Sequence, residues 1–254
     1  MCYDKETSLI TYSIGTIASL MLLRKKNPSL KISGLFFLSV SQMQLIEFLI
    51  WNHNKCDNYN IQISNIGSIF NHIHPIILYL GIRHYNKKLT KKQHNILNML
   101  IWFYLIGLTG YSYNAYPLDC TEVTPNSDGH LEWKWNHKKY YKQFYVIFVT
   151  VLVFTSFIGL ERPYNIYLSL LLLGSYIYSL YKYKSNKAVG TIWCWLVVFI
   201  SIVLLLSDIF ENDNENENDN ENKNDNDNDN DNDNDNDNDN DNDNDNDNEK
   251  KVVN

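Results

Sequence analysis

Charge is what the first four-fifths of this chain lacks. Residues 7–23, 32–51, 61–82, 96–113, 144–160, 164–181 and 189–207 together hold one Asp, Glu, Lys or Arg, and it is Glu47. Runs of roughly 17–25 mainly apolar residues are what a helix needs to cross a bilayer, so these stretches read as spans. Proline is also scarce. Of five, only Pro75 falls inside a span, and no internal repeat is visible. Sugar carriers of the three-plus-one-plus-three type, which place prolines in corresponding spans of both halves, are thereby excluded. The last span has no lysine to hold a retinal, and no Walker, Gly-x-Ser-x-Gly or His-Glu-x-x-His motif occurs. The four cysteines, Cys2, Cys56, Cys120 and Cys194, show no C-x-x-C spacing, which removes zinc and thioredoxin-type readings. No span after the third carries a histidine. A metal-dependent hydrolase, needing three or so His, Asp or Glu ligands on neighbouring helices, is therefore poorly supplied. No metal, cofactor or catalytic residue is assigned.

The averages conceal two unlike parts. A mean hydropathy of −0.33 and a net charge of −7 suggest a soluble protein. Residues 1–207, however, carry a net charge of +10, and residues 208–254 carry −17. The second part is almost wholly Asp, Asn and Glu, with twelve uninterrupted Asp-Asn dipeptides from Asp225 to Asn248. It has nothing apolar to bury and its charges repel, so a disordered acidic tail is expected. Its conceivable partners are basic surfaces and divalent cations, held weakly; the bland alternative is an expanded repeat under little constraint. The fold class expected is all-α: a polytopic membrane bundle of about seven helices over 1–207, followed by the tail. A six-span chain, with 144–181 split differently, is the alternative.

The loops orient the bundle. Arg24, Lys25, Lys26 and Lys31 in one connection, and Arg83, Lys87, Lys88, Lys91 and Lys92 in another, fall on the same side. The positive-inside rule makes that side cytoplasmic, with the N-terminus outside or lumenal and the tail cytoplasmic. Lys182, Lys184 and Lys187 dissent, on the opposite side. The mixed-charge start MCYDKETS gives no cleavable signal peptide. Trp51, Trp102, Tyr111, Tyr113, Tyr140, Tyr141, Trp193 and Trp195 lie near span ends and are expected in aromatic belts. The long 114–143 loop, punctuated by Pro117, Pro125 and Gly129, faces outward with the 52–60 loop. Cys56 and Cys120 then share an oxidising side, and a disulfide between them is favoured, with Cys2 as a competitor. Cys194, inside the seventh span, reads as a packing residue.

Polar residues inside the second and third spans draw attention next. Ser41, Gln44 and Glu47 form one ladder; Asn65, Ser68 and His72 form another, followed by His74 and Pro75. At 1.5 Å rise per residue, Glu47 sits roughly 6 Å below the outer end of its span, level with Asn65, while Gln44 matches Ser68 and Ser41 matches His72. The expectation is an antiparallel polar seam between the two helices. His72 and His74, two apart, point in nearly opposite directions. Pro75 has no N–H for the Asn71 carbonyl, which predicts a kink and a free acceptor at mid-membrane. An intramembrane carboxylate is costly and is either paired or used. Three readings follow: a structural clasp, a proton-coupled carrier or channel using Glu47 and His72, and a receptor-like sensor with an outer cavity.

Four segments carry a resemblance: QMQLIEFLIW, Cys56 in the loop behind it, HIHP in the third span and YPLDCT in the long loop. With the Asn/Lys/Ile/Tyr-rich vocabulary and the repeat tail, the chain resembles an uncharacterised multi-span family found in mimivirus-like giant viruses and in protists. The resemblance covers about residues 1–207 and brings no activity with it. It implies a location: a viral protein in host endomembranes or in the inner lipid layer of the particle, with the lipid bilayer as its partner and no nucleic acid.

Overall fold

Helix starts are written locally. Asp4, Asn27, Asp57 and Thr90 each stand one residue before a helix and accept a hydrogen bond from a first-turn N–H, Thr7 N at 2.7 Å and Ser29 N at 2.8 Å among them. Such caps satisfy donors that the helix itself cannot. Pro28 fills the first helical position, where its missing N–H costs nothing. Thr90 and Gln93 close a reciprocal capping box.

The computed structural model describes residues 4–116, 118–123, 129–183 and 189–226. Those residues form seven α-helices: α1 (Lys5–Arg24), α2 (Pro28–Asn52), α3 (Asn58–Tyr85), α4 (Lys91–Ala115), α5 (Tyr141–Gly159), α6 (Tyr164–Tyr183) and α7 (Val189–Asn226). Between α4 and α5 lie two short antiparallel strands, β1 (Glu122–Val123) and β2 (Leu131–Glu132), with Val123 opposite Leu131, and a 3-10 turn over Lys134–His137. The chain divides into two units, Met1–Ile209 and Phe210–Asn254.

The fold is all-α and rich in apolar helices. Among the described residues four helices, α1, α2, α4 and α5, are long and apolar enough to cross a membrane. Seven were expected. By that measure α3 falls short because Asn60, Gln62, Asn65, Asn71, His72 and His74 dilute it, and α6 because it is tyrosine-rich. The apolar part of α7 is the shorter stretch Ile192–Asp208. α7 itself runs to Asn226, so helix covers the first part of the stretch expected as the tail. Extending an existing helix adds one backbone hydrogen bond per residue fixed, which is far easier than starting one. The rest of the expected disordered tail, residues 227–254, lies outside the described residues, as do Cys2, Pro117, Pro125, Lys184 and Lys187.

Within the first unit, α2 and α3 form the centre. α1 lies along α2, and α3 touches α2, α4 and α5, with α6 against α5. Close approach is bought with small residues. A Cβ on Gly34 would stand 2.8 Å from the Ser19 carbonyl oxygen and 2.8 Å from the Leu23 nitrogen of α1. At Gly15 of α1 it would meet Ser41 of α2 and Val198 of α7. Without a hydrophobic gain between helices in lipid, contacts of this kind are a main source of association. The outward faces carry Ile10, Ile17, Trp102, Ile106 and Leu170, each more than half exposed.

The helix ends fall into two sets. At one end Asn86 donates to the Gly159 carbonyl at 2.8 Å, and the Glu161 N–H donates to Ser29 Oγ at 2.9 Å. Lys88 pairs with Glu161 at 3.0 Å and Lys25 with Asp208 at 2.8 Å there. At the other end Cys56 and Cys120 are joined by a disulfide. Asn60 and Thr121 exchange two hydrogen bonds of 2.9 Å beside it. The strands and the 3-10 turn form a cap at this end, stapled to the start of α3.

Candidate functional site

The cap is anchored by two tryptophans. Trp133 and Trp135 stack at 4.2 Å and are almost wholly buried. Gly67 of α3 makes room for Trp133, since a Cβ there would lie 3.0 Å from its ring. Trp135 Nε1 donates to the Tyr145 hydroxyl of α5 at 2.9 Å, and Tyr111 of α4 donates to the Trp135 carbonyl at 2.6 Å. Asn71 of α3 donates to the same Tyr145 oxygen at 3.0 Å. The Cys194 thiol of α7 faces the Asn71 oxygen at 3.8 Å and lies close enough to Glu47 to feel its charge. One connected cluster thus joins α2, α3, α4, α5, α7 and the cap.

His72 sits at its edge. Its ring is ringed by Tyr111, Trp135, Phe144 and Tyr145 at centroid distances of 5.2–6.3 Å. Nδ1 meets Ser68 Oγ at 3.2 Å, and Tyr116, the residue after α4, donates to the same oxygen at 2.7 Å. Among the described residues Nε2 has no hydrogen-bond partner. His74 points the other way, edge-on to Phe36 of α2 at 6.1 Å. α3 runs through Pro75 unbroken, and Tyr104 of α4 donates at 2.6 Å to the His72 carbonyl, next to the Asn71 carbonyl that proline leaves without its donor.

The expected seam between the two ladders is corrected. Ser41 donates to the Phe37 carbonyl and lies against Gly15 of α1, while Asn65 donates to the Ile61 carbonyl of its own helix. Ser68 and His72 turn toward α4. The reason is rotational. Gly67, His74 and Gly81, seven apart, form the stripe of α3 that meets Ile46, Phe36 and Ile32 of α2. Positions 65, 68 and 72 stand roughly 100–160° around the helix from that stripe. Gln44 and Glu47 are both fully buried, with Gln44 donating to Glu47 Oε2 at 3.2 Å. Asn71, not the Asn65 ladder, reaches the Glu47 neighbourhood, through Cys194.

Tyr111 and Trp193 are likewise not belt residues: each is 3% exposed and packs in the core. Trp102 and Tyr113, at 66% and 87%, do face outward. Tyr104, Trp135, Phe144 and Tyr145 were not singled out from the sequence. The signal was present in LEWKW, where apolar residues alternate inside an otherwise polar loop.

Beside Tyr145 a cavity of about 220 Å³ opens between α5, α6 and the start of α7, lined by Tyr141, Lys142, Tyr145, Tyr176, Leu180 and Trp193 among others. Trp193 Nε1 is satisfied by Ser175 at 3.1 Å, and its ring meets Tyr176 edge-on at 5.7 Å. At the same end of the bundle the His53 imidazole, 2.7 Å from Asp57, holds that carboxyl below its ordinary value, helped by the Asn60 and Tyr59 N–H groups. Burial raises the Tyr116 hydroxyl above the usual phenol range. Among the described residues no three His, Cys, Asp or Glu side chains gather as a metal-holding group. A group placed in the cavity would touch Tyr145, which is hydrogen-bonded to the central helix and to the cap.

The chain was compared with protein families, curated proteins and solved structures. It matches none of them.

Proposed function

We propose that the chain crosses a bilayer seven times and acts as a receptor-like ligand-binding protein. The helix ends, alternating between two sets, support seven crossings. α3 can cross despite its composition because Asn60, Asn71, His72 and His74 are buried in protein, and α6 because residues 164–181 hold no charge. The basic set, with Arg24, Lys25, Lys26, Arg83, Lys87 and Lys88, is the cytoplasmic one under the positive-inside rule. The bridged, capped end is then outer or lumenal, where a disulfide persists. The resemblance of its segments to the giant-virus and protist family favours a host endomembrane or a virion inner membrane.

The observation that carries the binding reading is Tyr145, which both lines the cavity and accepts hydrogen bonds from Asn71 and Trp135. Occupancy of the cavity is felt at Cys194, the buried thiol across Asn71. The test needs no ligand. In a Cys2→Ala background, Val146→Trp and, separately, Leu180→Trp fill the cavity from its open side. Each is expected to change the rate at which maleimide modifies Cys194 in the full chain in nanodiscs. If both variants fold and neither alters that rate, the cavity does not report to the bundle and the reading falls.

A proton-coupled carrier is the second reading, favoured by the fully buried Glu47. It lacks a relay. Ser19, Ser33, Ser39 and Ser41 each donate to a carbonyl of their own helix, at 2.6–2.8 Å, rather than to one another. His72 bonds Ser68, and Glu47 accepts from Gln44. Proton-driven flux in liposomes that disappears on Glu47→Gln would establish the carrier instead.

A further inference from the structure

We infer that the cavity takes a single-chain anionic amphiphile, a carboxylate or phosphate head on one apolar tail, arriving sideways from the membrane between α5 and α6. This rests on the reading of the cavity as a ligand site.

The walls set the body of the ligand. Tyr141, Tyr145, Tyr176 and Trp193 present flat apolar surface, and aromatic side chains of this kind supply large contact area with a polar tip. The volume, about 220 Å³, lies below the roughly 300–1,000 Å³ of sites for drug-sized ligands. One short chain or ring fits; a two-chain lipid does not. The mouth sets the route. Val146 of α5 and Leu180 of α6 line the cavity and are 62% and 40% exposed, so the opening is on the outer face of the bundle, where acyl chains pack.

Lys142 sets the head. It is exposed, lines the cavity, and its Nζ stands 5.7 Å from the Tyr141 ring centroid. Among the described residues it makes no ion pair, unlike Lys134 and Lys138 of the cap, which face Glu122 and Asp119 at 3.6 and 3.8 Å. A lysine at this level lays its stem along apolar surface and keeps its ammonium at the headgroups. There it is complementary to a carboxylate or phosphate that enters tail first, and it opposes a cationic head. A free aqueous anion would satisfy Lys142 but leave the aromatic walls empty.

Radiolabelled decanoate is titrated against the full chain in phosphatidylcholine nanodiscs, with empty discs subtracted. Saturable binding is expected, displaced by decyl phosphate but not by decylamine or inorganic phosphate. Lys142→Gln is expected to weaken decanoate by about tenfold or more, the worth of a charge-assisted hydrogen bond. Lys142→Arg is expected to keep the affinity, and Val146→Trp to abolish it. If decanol or decylamine competes as well as decanoate while Val146→Trp still abolishes binding, the anionic class is overturned and the cavity reading stands. Equal competition by inorganic phosphate overturns the amphiphile. Binding unchanged in both Val146→Trp and Leu180→Trp, or no saturable binding of decanoate, decanol or decylamine, overturns the proposal together with the reading beneath it.

Discussion

Gly34→Ala tests a helix contact in which glycine faces the backbone of its neighbour. A Cβ at this position of α2 would stand 2.8 Å from two backbone atoms of α1, Leu23 N and Ser19 O, and 3.0 Å from Leu22 Cβ. Ordinary contact begins at 3.4 Å, so α1 would have to retreat by roughly 0.6 Å. Backbone atoms cannot swing aside as a side-chain tip can. Overpacking of this sort costs about 1–3 kcal/mol. Alanine is a better helix former than glycine by about 1 kcal/mol, which offsets part of that cost. The net expectation is a loss of up to about 2 kcal/mol. Gly110→Ala is the matched control: nothing lies within 4 Å of its Cβ position, so only the propensity gain of up to about 1 kcal/mol remains. The assay is reversible unfolding of the full chain in mixed micelles, followed by tryptophan fluorescence. Gly34→Ala should unfold at a lower midpoint than Gly110→Ala. If Gly34→Ala is as stable as Gly110→Ala, the close α1–α2 approach is not what the packing says it is.

Three further outcomes are expected. Tyr104→Phe removes the donor to the His72 carbonyl and should cost about 1–3 kcal/mol, whereas Tyr113→Phe, on an exposed ring, should be neutral in the same unfolding assay. Replacing Cys56 and Cys120 together by serine opens a loop with a sequence separation of 64 and should cost about 4 kcal/mol by chain entropy, with slower migration on a nonreducing gel. Asp57 caps α3 and pairs with His53, so its folded pKa lies below the ordinary 3.8. A depressed carboxyl contributes stability above its unfolded pKa and loses it as pH falls through the folded value. Acid titration below about pH 4 should therefore destabilise the wild type more than Asp57→Asn, which keeps the cap but carries no titrating carboxyl; parallel curves would contradict this.

Much was readable before any fold was in hand, because lipid imposes rules that act on short stretches. The apolar runs and the isolation of Glu47 are both local or compositional properties. So was the near-opposition of His72 and His74, which follows from helical pitch alone. What spacing along one helix does not contain is the rotation of that helix about its axis. Glycines at 67 and 81 with His74 between them decided which face of α3 met α2, and that choice sent Ser68 and His72 toward α4 instead of toward Gln44 and Ser41. Tyr111 and Trp193 show the same limit. Near a span end an aromatic ring can face headgroups or core, and only the positions of α5, the cap and α6 put these two inside. The cavity beside Tyr145 is a property of three helices at once. Sequence alone determined which segments are apolar and which polar groups stand among them; the tertiary structure decided which of those groups meet, because partner choice depends on rotation and on neighbours far away along the chain.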